Sequence, residues 1–193
     1  MAKARKVTGL TCDDGVQQAA RRVIGVRTDE LRDLRALVVA AGDALALHDV
    51  RIAAKRLRYS LEIFDFCFPE TNVEELADTV RALQDVLGRV HDLDVLVDLL
   101  LQRIGRLDLV QQQAALAIVR EQPAELRGER LRGLLGDPEE LRSRTGLYQV
   151  VASKLDERDQ RYAEFEALWD EWERSGLFER IAAMVDRPLE GVG

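Results

Sequence analysis

The chain has 193 residues, with 28 Lys and Arg against 35 Asp and Glu, a net charge of −7, 47% hydrophobic residues and four prolines. That balance excludes a disordered chain, and no apolar run approaches the ~20 residues of a membrane-spanning helix. The basic start MAKARKVTGL has no hydrophobic stretch behind it and so does not read as a secretory signal, which makes a cytoplasmic location the expectation.

Apolar residues recur at a 3.6-residue period almost throughout, while strand alternation and hairpin turns are missing, so the fold class is all-α. A first helix is predicted from Asp14 to Ala41, with Val16, Ala20, Val23, Leu31, Leu34, Val38 and Ala41 as its stripe and Gly42 ending it. The second runs from Leu45 to Cys67 and stops ahead of Pro69. Thr71 or Asn72 caps a third along Val73, Leu76, Val80, Leu83 and Leu87, where Gly88 offers a break. A fourth follows from Arg89 to Ile104 or Gly105.

Beyond it, Leu107–Arg120 and Ala124–Leu135 read as shorter helices separated by Pro123, before a turn at Gly136-Asp137-Pro138. Glu139–Arg174 is a long helix, interrupted near Gly146 if anywhere, with Val151, Leu155, Tyr162, Phe165, Trp169 and Trp172 along one side. Leu177–Val185 closes the chain's helices. The whole is expected to be one domain over 1–193, a bundle of long antiparallel helices with a basic groove, its N-terminal part at about 14–105 and its C-terminal part at about 107–186. Cys12 is incidental and Cys67 a small core residue, without metal or redox spacing; Phe64, Phe66 and Phe68 are assigned to the core.

The most informative segment is HDVRIAAKRLRY, His48 to Tyr59. At ~100° per residue, His48, Arg51, Lys55, Arg58 and Tyr59 share one side of the second helix, with Glu62 beside them and Arg56 at the margin. Val50, Ala53, Ala54, Leu57, Leu61 and Phe64 take the other side, so one face can bury while its opposite presents positive charge. A solvated charged face is the ordinary reading. Against it, Asp49 and Glu62 are the only carboxylates beside four cations in this stretch. The acidic total is no objection, because residues 156–190 hold eleven acids against five bases whereas 48–58 is +3 with histidine neutral.

Several further cations fall on stripes that should face inward: Arg27 on the first helix, Arg89 on the fourth, and Lys154, Arg158 and Arg161 on the long C-terminal one. A buried guanidinium must pair, snorkel or line a wet cavity. Glu30 and Asp92 offer Arg27 and Arg89 ordinary partners, and a basic channel walled by the His48–Tyr59 face is the alternative.

HDVRIAAKRLRYSLEIF (His48–Phe64), followed by LQDVLGRVHDLDVL (Leu83–Leu96), resembles the two motifs of the CHAD family, the conserved histidine α-helical domain. KARKVTGL and the spacing of Arg158, Phe165 and Trp169 resemble short members of that family. The resemblance implies a helical domain that binds inorganic polyphosphate in a basic groove, without cofactor or metal. It carries the ligand role to His48, Arg51, Lys55, Arg56 and Arg58, and extends to Arg89 and His91, with Arg27 and Arg158 as inward cations of the same groove. Larger members carry the histidine helix twice; this chain carries it once, and a homodimer is left open.

Such a ligand has no bases to read, so guanidinium forks and an ammonium suffice. The rival readings are a metal-dependent phosphohydrolase using Asp92, Asp94, Asp98 and the two histidines, a nucleic-acid binder, and a helical adaptor. No phosphate loop, nucleophile elbow or HExxH motif supports the enzyme. The acidic C-terminal stretch and the scarcity of aromatics among the basic residues disfavour nucleic acid.

Overall fold

The computed structural model describes residues 3–40 and 43–187. Among them every regular element is helical: α1 (Val16–Ala36), α2 (Ala44–Phe64), α3 (Val73–Glu121), α4 (Ala124–Leu135), α5 (Pro138–Arg174) and α6 (Leu177–Asp186), with a 3-10 turn at Asp65–Cys67 after α2. The all-α reading of the sequence therefore holds.

Helix starts follow local chemistry. Asp43 caps α2, its carboxylate accepting from the Ala46 amide at 3.0 Å, and Asn72 caps α3 by accepting from the Glu75 amide at 3.2 Å. Pro138 opens α5, where a missing N–H costs nothing. At Gly176, φ is +66°, a left-handed conformation that glycine adopts without a Cβ penalty, and the chain turns there from α5 into α6.

Three expectations are corrected. The first helix ends at Ala36 rather than Ala41, and Leu37–Ala40 leave the helix; Ala41 and Gly42 lie outside the described residues. Gly88 breaks nothing, and the three helices read between Val73 and Arg120 are the single helix α3. Glycine inside a helix costs only about 1 kcal/mol, which the buried Leu83, Leu87, Val90 and Leu93 on either side of Gly88 outweigh. The long helix read from Glu139 to Arg174 holds as α5, unbroken at Gly146. Among the apolar assignments, Val16, Phe66 and Leu155 are exposed, at 56%, 70% and 43%.

The chain divides into two compact units, one holding residues up to His91 and from Asp159 onward, the other Asp92–Arg158. The first owns the main core. Ile24 and Leu31 of α1, Val50, Leu57 and Leu61 of α2, Leu76, Leu83 and Leu87 of α3, Phe165 and Trp172 of α5, and Ile181 of α6 are sealed within one cluster. The second unit is thin. Leu93, Ile104 and Val151 are its buried apolar residues, α4 buries none, and Gln111 ties its helices by accepting from Arg144 at 2.7 Å and donating to the Leu134 carbonyl at 3.3 Å.

In the first unit one buried carboxylate fastens three segments. Glu30 is 3% exposed and accepts from Arg27 at 2.5 Å, from Arg56 at 2.8 Å and from the Arg5 amide at 2.9 Å. Arg27 also donates to the Arg5 carbonyl and Arg22 to those of Thr8 and Gly9, so the N-terminal segment lies pinned along α1. Truncating Glu30 leaves two guanidinium groups without their common anion. We expect Glu30→Ala to destabilise the fold by about 3 to 5 kcal/mol, read from denaturant unfolding followed by circular dichroism. Removing the exposed Asp33 partner of Arg5 should change the midpoint far less.

Candidate anion site on the α2–α3 seam

The amphipathic pattern of α2 sorts its residues as the sequence implies. Leu47, Val50, Ala53, Ala54, Leu57 and Leu61 are buried, while His48, Arg51, Lys55 and Arg58 are half-buried along one flank and Tyr59 is exposed. Half-burial of a cation means its stem packs while its head reaches water. On α3 the corresponding flank is Arg81, Gln84, Gly88 and His91, spaced by three and four residues.

Three contacts join these flanks and fix their antiparallel register. Arg81 bonds Glu62 at 3.0 Å, Arg58 Nε donates to Gln84 Oε1 at 3.0 Å, and the His48 and His91 rings lie 5.0 Å apart between centroids, tilted by 49°. From His48 to Arg58 the α2 flank is about 15 Å long at 1.5 Å per residue.

The two ends of the seam differ in charge balance. At one end Glu62 receives both Arg58, at 2.7 Å, and Arg81, and Arg58 also lies over Tyr59 at 4.5 Å from the ring centroid. In the middle and at the other end, among the described residues, neither Arg51 nor Lys55 makes an ion pair; Lys55 rests over the Tyr59 ring at 5.6 Å. The Arg51 Nε and His48 Nδ1 are buried without a hydrogen-bond partner. Buried polar atoms are normally satisfied, and each orphan calls for an explanation. Burial first, then the positive fields of His91 and Arg51, lower the His48 pKa below the ordinary imidazole value, with Asp49 acting in the opposite sense. An incoming anion would reverse the field of both cations and supply an acceptor to both orphans.

The remaining sequence candidates are placed elsewhere or already engaged. Arg56, at the margin of the α2 face, turns to Glu30, as does Arg27. Arg89 is exposed on α3, two residues from His91 but off its flank. Arg158 belongs to the second unit, 5% exposed, its Nε bonding Asp94 at 2.5 Å. Lys154 pairs with Glu157 and Arg161 with Glu164, each three residues along α5. Of the carboxylates considered for a metal, Asp94 takes Arg158 and Asp98 accepts from Gln102 at 2.7 Å. Among the described residues no group of three or more His, Cys, Asp and Glu is arranged to hold a metal ion, and no helix is long and apolar enough to cross a membrane.

Sequence reasoning gave Glu30 to Arg27, as the structure has it, but missed its bond to Arg56, and missed Gln84 and the place of Gly88 on the seam. Glu30 reaches Arg56 from 26 residues away, which no helical spacing announces. Gln84, Gly88 and His91 stand at i, i+4 and i+7, a legible face that reading Gly88 as a helix end concealed.

The family model of the CHAD domain matches residues 4–101. Searches of curated proteins and of solved structures find no match. The matched segment spans half of the chain and contains every residue of the α2–α3 seam, from His48 to His91. On that ground the chain belongs to the CHAD family.

Proposed function

We propose that this chain binds inorganic polyphosphate along the α2–α3 seam and does not cleave it. The observation that carries this reading is the unneutralised positive charge there: among the described residues Arg51 and Lys55 make no ion pair, and Arg51 Nε and His48 Nδ1 are buried without a hydrogen-bond partner. A polymer of phosphates presents a repeating row of oxygens to a row of cations, and requires neither base stacking nor a donor code. Membership of the CHAD family supports the same ligand, since the family resemblance implies it.

Arg51 is assigned the bidentate grip, Lys55 a point charge, and His48, with the His91 ring beside it, a donor when the anion favours its protonated form. Arg58, held by Glu62 and Gln84, sets the border of the site. Arg27, Arg56 and Arg158 keep structural roles through Glu30 and Asp94. In this reading the protein is a cytoplasmic binding module at polyphosphate deposits, without cofactor or membrane partner, and nucleic acid is a competitor at most.

Calorimetric titration with long-chain polyphosphate tests the reading, with duplex DNA as comparison and phosphate release in the presence of magnesium as the check on catalysis. We expect binding that weakens with salt through counterion release, no phosphate release, and weaker binding to DNA. Arg51→Ala with Lys55→Ala should lower affinity by about 2 to 4 kcal/mol, up to a thousandfold, with helicity unchanged. Wild-type affinity in that double variant would place the ligand elsewhere.

Acidity supplies a second test. A bound polyanion favours the imidazolium of His48, so binding takes up a proton and affinity should rise as pH falls from about 7.5 to 5.5. Without ligand the sign is opposite. Because the folded pKa of His48 lies below the unfolded value of about 6.5, its contribution to stability is present above that pH and is lost on acidification. His48→Gln should flatten the pH dependence of binding, as measured by titration at several pH values in one buffer series.

A further inference from the structure

Gly88 lies in the interior of a 49-residue helix, where glycine is the costliest residue short of proline. Neither common reason for such a glycine applies. The described glycines with positive φ are Gly9 and Gly176, so the backbone at 88 is open to any L-residue. A Cβ built on Gly88 would meet no atom within 4 Å, so no neighbouring helix needs the close approach either. Gly105 of the same helix has the same open surroundings, but it is exposed. Gly88 is half-buried, and what surrounds it differs.

The contacts of Arg58 with Gln84 and of His48 with His91 bracket it on both sides. In that register Gly88 stands across the seam from Arg51 and Lys55, one helical turn from Gln84 and one from His91. By that register the open space over Gly88 faces the α2 flank at Arg51 and Lys55, the flank on which Arg51 Nε and His48 Nδ1 are buried without a hydrogen-bond partner. Any larger residue at 88 would project its side chain into that space.

We propose that Gly88 is a specificity-determining position whose missing side chain keeps open the seat of one tetrahedral phosphate, between the α3 backbone and the Arg51–Lys55 pair. The inference rests on the polyphosphate reading above and deepens it: the seam admits an anion at this point because α3 is bare there. A helix backbone offers no free N–H in its interior, so the seat works by room and by the opposing cations alone.

The test compares Gly88→Ala, Gly88→Leu and Gly105→Leu with the wild-type chain, reading thermal unfolding by circular dichroism and polyphosphate affinity by calorimetry. Every substitution replaces glycine with a stronger helix former in open space, so each melting temperature should hold or rise by a few degrees. Affinity should fall by about tenfold or more in Gly88→Leu, by less in Gly88→Ala, and stay at the wild-type level in Gly105→Leu. A purely structural glycine would change melting without this order in binding. Wild-type binding together with undiminished binding in both Gly88 variants would overturn this inference alone. Failure of the wild-type chain to bind would overturn the reading of the site and the inference with it.

Discussion

The arrangement of the basic face depends on one buried carboxylate. Four cations along about two turns of α2 repel one another, and a helix with such a flank packs only if part of its charge is met. Glu30 meets it from α1, taking Arg56 at 2.8 Å and Arg27 at 2.5 Å while also holding the Arg5 amide. Burying an ionised carboxylate costs several kcal/mol, and two guanidinium groups with a backbone donor offset that cost. The same interaction pulls Arg56 away from the seam and leaves Arg51 and Lys55 as the uncompensated pair.

A division of labour among cations follows. Arg27, Arg56 and Arg158 each have a carboxylate within 2.8 Å. Arg51, Lys55, His48 and His91 are half-buried like Arg27 and Arg56, but among the described residues Arg51 and Lys55 meet no carboxylate. Only the second set has electrostatic energy to give to a ligand, because an anion arriving at the first would first have to displace an existing partner. Composition does not distinguish these sets. The −7 net charge and the acidic C-terminal stretch act at a distance that salt screens, whereas the seam's field is local.

The fold was legible wherever one period persisted. The stripes from Val50 to Leu61 on α2 and from Val73 to Leu87 on α3 are buried as read, whereas Phe64 is only partly buried and Arg89 is exposed; Asn72 caps α3 as its side-chain chemistry suggests. The misreadings were of continuity. Gly88 and Gly105 were natural candidates for breaks, yet α3 runs through both; at Gly88 the buried Leu83, Leu87, Val90 and Leu93 on either side offset the local penalty. The aromatic run at Phe64–Phe68 misled in another way: the 3-10 turn at Asp65–Cys67 shifts the phase, burying Cys67 and Phe68 while turning Phe66 out.

The sequence by itself determined the helical class, the two-faced character of α2 and the concentration of charge between His48 and Arg58, since all three are consequences of spacing along one chain. Its two motifs also carry the resemblance to the family whose model matches residues 4–101. Tertiary structure alone decided which cations remain available. Pairing is a contact across helices: Glu30 finds Arg56 across 26 residues, Asp94 finds Arg158 across 64, and His91 comes to His48 only because α3 returns antiparallel to α2. Periodicity places a side chain on a face, and the partner it meets there depends on the register between helices, a property of packing.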